Sequence, residues 1–119
     1  MTLRCELFVK EMLPSIRREL SKILYDNYKM SQEEIADKLS ITQSAVSQYL
    51  KGIRGKYYFE FDQEDKIILI RMAELLKEDK NIKLPDLQSM LCQLCEKRYK
   101  YVKCYIKIWV YLMRNLLQL

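Results

Sequence analysis

Residues 31–52 read SQEEIADKLSITQSAVSQYLKG, and their spacing describes two short helices joined by a turn too tight for ordinary helix packing. Ser31, with Glu34 three residues on, makes a capping box. Met30 and Ile35 stand where a hydrophobic staple closes the entry of the first helix, so that helix starts at Ser31. Its inner face is Ile35, Ala36 and Leu39, with Ala36 at the point where two crossing helices need a small side chain to approach closely. Ser40 and Ile41 make the turn, Thr42 is a good N-cap for the second helix, and Ile41 with Val46 repeats the staple. Val46, Tyr49 and Leu50 face inward, and Gly52 supplies the C-terminal stop. The pattern is that of a helix-turn-helix.

The opposite face of the second helix carries Gln43, Ser44, Ser47 and Gln48. Gln amides pair bidentately with adenine and Ser hydroxyls bond to several base edges, so this short, uncharged face suits the major groove of double-stranded DNA. From Gln43 to Phe59 there is no acid, and Lys51, Arg54 and Lys56 follow where the chain would cross phosphates, with Gln32 and Thr42 at the two helix starts as further phosphate contacts. The bland alternative is an amphipathic helix pair with a solvated polar face. Capping, turn length, the small residue and the outward amides all favour the DNA-binding reading over it.

At these residues the sequence resembles the phage-repressor type of helix-turn-helix, with Gln32, Ala36, Thr42, Gln43, Val46, Ser47 and Gly52 at matching positions. Ser40 stands where that pattern usually has glycine, which asks the turn residue to take a left-handed conformation without glycine's freedom, at a modest cost. A wider resemblance runs over roughly residues 4 to 104. The segments CELFVKEMLPSIRREL, ITQSAVSQYLKGIRGK and LCQLCEKR together look like a family of small archaeal helix-turn-helix transcriptional regulators. That resemblance implies a DNA-binding regulator, and it includes a cysteine at about the place of Cys104 after a C-x-x-C pair.

The composition narrows the class. Two Gly and two Pro in 119 residues, with 50% hydrophobic and 31% charged side chains, argue for long helices in one domain and against a turn-rich β fold or disorder, so the expected fold class is all-α. Within it residues 1–61 form the DNA-binding region and 62–119 a helical, cysteine-bearing region for dimerisation. There is no histidine, no glycine-rich phosphate loop and no nucleophile elbow, so an enzyme is not expected. Arg4, Glu6, Lys10 and Glu11 would not be tolerated in a signal-peptide core, which points to a cytoplasmic chain.

From Leu3 to Tyr28 the apolar residues Leu7, Phe8, Met12, Ile16, Leu20, Ile23 and Leu24 recur at helical spacing, and Pro14 either kinks one long helix or starts a second, a bend near Lys10 to Leu13 being favoured over a straight rod. The run from Ile53 to Phe61 is a connection in which Tyr57 and Tyr58 pack rather than bind ligand. Asp62 caps a helix running through Leu76, with too many apolar residues for a one-sided surface helix; it is either central or covered by a partner. The polar stretch Lys77 to Lys83 breaks it, and Leu84-Pro85-Asp86 starts another helix.

Cys92 and Cys95 fall on one face of that last helix, and with Cys5 and Cys104 they make the inventory for a four-thiolate iron–sulfur cluster, or for structural zinc. The alternative is no cofactor at all, with four ordinary buried cysteines. Nine residues of unbroken α-helix advance about 13.5 Å and turn about 900°, so Cys104 joins Cys95 at one centre only if the helix breaks between Glu96 and Lys103. A straight helix would leave Cys5, Cys92 and Cys95 as a three-thiolate set.

The tail from Lys97 holds six basic residues and no acid. Three of them fall among the apolar residues of 101–119, where each would cost about 2.5–3.5 kcal/mol at mid-membrane, so burial in a homodimer interface is favoured over a membrane span or a membrane-surface helix. The rivals to a DNA-binding regulator are a protein-binding module that keeps the helix-turn-helix as a scaffold and a membrane-surface adaptor docking through its tail.

Overall fold

The computed structural model describes residues 4–54, 60–100 and 116. The chain is an all-α helix-turn-helix bundle, with no strand among the described residues. Its helices are α1 (Arg4–Leu7), α2 (Leu13–Asp26), α3 (Gln32–Leu39), α4 (Gln43–Leu50), α5 (Gln63–Glu78) and α6 (Gln88–Arg98). A π-helical turn, Phe8–Met12, runs α1 into α2, and a 3-10 turn, Leu84–Leu87, leads into α6.

Pro14 sits in the first turn of α2, directly after the π turn. A proline has no N–H to give the carbonyl four residues back and its ring crowds that carbonyl. At Lys10 to Leu13, where a bend is expected, the ladder runs through the π turn, which closes where Leu13 N–H donates to Phe8 O, five residues back.

Asp62 caps α5 as the spacing predicts, through a complete capping box: Asp65 N–H donates to Asp62 Oδ1 at 2.9 Å and Asp62 N–H donates to Asp65 Oδ2 at 3.2 Å. The helix outlasts its expected end at Leu76 and reaches Glu78, because Lys77 and Glu78 are good helix formers with no competing turn signal. The polar break is therefore Asp79 to Lys83, and Leu84-Pro85 opens the 3-10 turn instead of starting α6 directly.

One cluster of buried side chains runs from Phe8 to Tyr99. Ile16, Leu20 and Leu24 of α2 face Leu69, Met72 and Leu76 of α5, Ile35 and Leu39 of α3 and Val46 of α4 close one side, and Leu94 of α6 the other. Each is at most 1% exposed, so each contributes about 1.5–3 kcal/mol of burial. The expectation that α5 is central holds for that face alone, since Ile67 and Ile70 remain 65% and 47% exposed.

Two long-range links fix α6. Tyr99, buried at the end of α6, donates its hydroxyl to Glu11 Oε2 at 3.0 Å, and burial, then the Glu11 carboxylate, pushes its phenol well above the ordinary range. Lys97 Nζ lies 2.5 Å from Asp62, 3.1 Å from Glu64 and 3.3 Å from Asp65, which ties the C-terminal turn of α6 to the N-terminus of α5. The hydrogen bond from Lys97 holds the Asp62 carboxyl below its usual 3.8, and the same bond raises Lys97 above its usual 10.5.

The lowered carboxyl adds stability above pH 3.8 that is lost as pH falls through its folded value; the raised ammonium adds stability below pH 10.5 that is lost as pH rises through its own. Thermal melts should accordingly show Asp62→Asn and Lys97→Met lowering Tm near neutral pH. The Asp62→Asn difference should fade in acid, and a difference that persists unchanged there would separate the cap from the ion pair.

Candidate nucleic-acid interface

Two capped helices build the interface. Ser31 Oγ accepts from Glu34 N–H at 3.1 Å, one half of the expected box, and Thr42 Oγ1 accepts from Ala45 N–H at 3.1 Å. Both helices then end alike. Ser40 takes the left-handed conformation, φ 57° and ψ 43°, with its own N–H donating to Asp37 O and Ile41 N–H donating to Ala36 O. Gly52, at φ 75°, repeats this: its N–H donates to Tyr49 O and Ile53 N–H donates to Gln48 O. Serine thus does in the turn what glycine does after α4, at the cost its Cβ imposes. Ala36 is buried, and Val46 and Tyr49 anchor α4 against the bundle.

Ser44 and Gln48 are exposed and Ser47 is half-buried on the outer face of α4. Gln43 is exposed too, but held: its Nε2 donates to Gln32 Oε1 at 2.6 Å. The clasp joins the first residue of α3 to the first residue of α4 and leaves the Gln43 carbonyl and one N–H free to turn outward. Gln32 thus holds the Gln43 amide in place. Phosphate contact there has to work against Glu33 and Glu34, both acidic and in the first turn of α3, whereas the first turn of α4 has no acid. Lys51 and Arg54 are exposed past the end of α4, with the Arg54 guanidinium 5.8 Å from the centre of the Tyr49 ring. Lys56, Tyr57 and Tyr58 lie outside the described residues.

Two residues with a part here gave no sequence signal. Arg17, on α2, lines the hollow between α2 and the start of α4. Lys38, in the last turn of α3, is only 8% exposed; it donates to the backbone carbonyls of Asp79 and of Ile82, the latter at 3.0 Å. Nearby, Lys83 Nζ meets Asp37 Oδ1 at 3.1 Å. The helix-turn-helix is thereby fastened to the loop between α5 and α6. Buried lysines with such distant partners leave no local pattern, since Asp79 and Ile82 are 41 and 44 residues away.

Cys92 and Cys95 share α6 as expected, the first half-buried and the second buried, and Cys5 is half-buried on α1; all three are thiols. α6 ends at Arg98, inside the window where a break was needed to bring Cys104 back, and does so without proline or glycine. Cys104 itself, like the tail 101–115, lies outside the described residues. Among the described residues no three His, Cys, Asp or Glu side chains gather to hold a metal, and the four-thiolate centre, which needs Cys104, reaches beyond those residues.

Compared with known proteins, residues 22–55 match the helix-turn-helix family, a stretch from the second half of α2 to just past α4. No curated protein and no solved structure is detectably similar to the chain. The chain thus carries a DNA-binding helix-turn-helix, and none of the described helices is long and apolar enough to cross a membrane.

Proposed function

We propose that the chain is a sequence-specific transcriptional regulator that reads double-stranded DNA with α4. Gln43, Ser44, Ser47 and Gln48 meet base edges in the major groove, Thr42 donates a hydrogen bond to a phosphate, and Lys51, Arg54 and Lys56 neutralise phosphates on either side. The observation that carries this reading is the Gln32–Gln43 clasp. An exposed glutamine ordinarily samples many rotamers, and immobilising one costs about 1–2 kcal/mol. Here that ordering is done before DNA arrives, and the amide is presented with one donor and one acceptor for the N7 and N6 edge of adenine. Ile67 and Ile70, exposed on α5, support a homodimer, which would place two copies of α4 at half-sites about 34 Å apart. The reading stands without a metal.

The test is affinity for a duplex selected from a random pool, set beside affinity for unselected DNA. Gln43→Ala should cost about 1–3 kcal/mol on the selected duplex and little on the other. Lys51→Ala should weaken both and lower the salt slope by about one. Equal losses from both substitutions on both duplexes would overturn the assignment of base-reading and phosphate-binding roles, and a selected pool with no consensus would overturn the function.

A further inference from the structure

We infer that Arg17 of α2 and Arg54 beyond α4 together grip one backbone phosphate of the bound duplex, so that the DNA contact extends past the helix-turn-helix onto α2. The inference rests on the DNA-binding reading above. The hollow they share is an open one of about 470 Å³, lined by Pro14 and Arg17 from α2, by Thr42, Ala45 and Tyr49 along α4, and by Arg54.

Charge makes this hollow unlike its neighbours. The hollow beside Lys38 holds Glu34 and Asp37, the one beside Lys66 holds Glu19 and Glu60, and the one beside Lys97 holds Asp62 and Asp65. In each, the chain supplies carboxylates beside its cations. The hollow beside Arg17 and Arg54 has two guanidinium groups and no carboxylate on its walls. No ion pair reaches Arg17 or Arg54 among the described residues. Two cations with no carboxylate beside them are left to an outside anion, and a tetrahedral anion with several acceptor oxygens answers two planar guanidinium forks best.

The remaining wall groups agree. Thr42 Oγ1 spends a lone pair on Ala45 N–H, which leaves its own proton to donate. The start of α4 is the positive end of a helix dipole with no acid in its first turn. The Tyr49 ring holds Arg54 by its face, leaving the N–H edge of the guanidinium for a ligand. Around α4, Ala45 lies 100° from Ser44 in the helical sweep, so the hollow borders the base-reading face. A duplex whose base edges meet Ser44 and Gln48 carries its phosphate strand past this opening, which favours a DNA phosphate over a free one.

The experiment measures affinity of the full chain for the selected and unselected duplexes across a salt series. Arg17→Gln should weaken binding to both by the same factor, about 5- to 10-fold, and the Arg17→Gln/Arg54→Gln double variant should lower the salt slope by about one, the value for a single phosphate. Arg17→Lys, which keeps the charge, should keep the slope while losing part of the affinity, and it serves as the folding control alongside helical circular dichroism. Wild-type affinity in a folded Arg17→Gln protein, with Gln43→Ala still losing the selected duplex, would overturn this inference alone. Loss confined to the selected duplex would make Arg17 a base reader and overturn it too. A saturable rise in Tm with inorganic phosphate that Arg17→Gln abolishes, with DNA affinity unchanged, would give the hollow to a free anion instead. No DNA binding by the wild-type chain would overturn this and the reading it rests on.

Discussion

Met72→Ala should destabilise the chain by about 2–5 kcal/mol, read as a lower denaturation midpoint with little change in slope. Met72 is fully buried on α5 at the seam with α2, beside Ala73, also fully buried, whose small side chain lets the two helices approach. Removing three heavy atoms there loses their transfer free energy and leaves a cavity that the helices cannot close without moving Leu69 and Leu76. Methionine is the most adaptable of the core residues, so Met72→Leu should cost less than about 1.5 kcal/mol. A loss below about 1 kcal/mol for Met72→Ala would mean that the α2–α5 seam is not where the bundle draws its stability.

The second large effect belongs to Lys38. Lys38→Ala removes the donor shared by the carbonyls of Asp79 and Ile82 and the aliphatic stem that fills the gap above α3, for an expected loss of about 2–4 kcal/mol. Lys38→Met keeps the stem and loses the bonds, so the difference between the two variants separates packing from hydrogen bonding. The neighbouring Lys83–Asp37 pair is about half exposed on both sides and should contribute less than about 1 kcal/mol. Hence Lys83→Ala should be nearly silent where Lys38→Ala is not. Equal effects would place the fastening in the surface pair and contradict the burial of Lys38.

The division between what sequence pattern foretold and what it did not follows the range of the interactions. Thr42 and Asp62 cap their helices where the spacing put the caps, and Ser31 does so with half of its box, because a cap joins residues three apart and its chemistry is local. The left-handed Ser40 was legible through the resemblance alone, in which that turn position is usually glycine. The end of α5 was placed two residues short, since a polar residue that favours helix resembles a break when only hydrophobic periodicity is followed.

Lys38 and Lys97 carry no local signal, since their partners lie far along the chain. The cysteines divide along the same line. A C-x-x-C pair on a helix shares a face, as Cys92 and Cys95 do on α6, whereas a common centre with Cys5 and Cys104 depends on how distant segments meet, which spacing does not encode.

The buried residues Phe8, Met12, Ile16, Leu20 and Leu24 keep a strict four-residue rhythm. In an α-helix, four residues overshoot a full turn by about 40°, so four such steps would swing Phe8 some 160° around the axis from Leu24 and out toward solvent. A turn closed by an i→i+5 bond holds one residue more per revolution and runs that drift backwards. The π turn at Phe8–Met12 is thus a phase corrector. It lets a repeat that is too long for the α-helix keep addressing a single core, and it falls next to Pro14, where the regular ladder was already open.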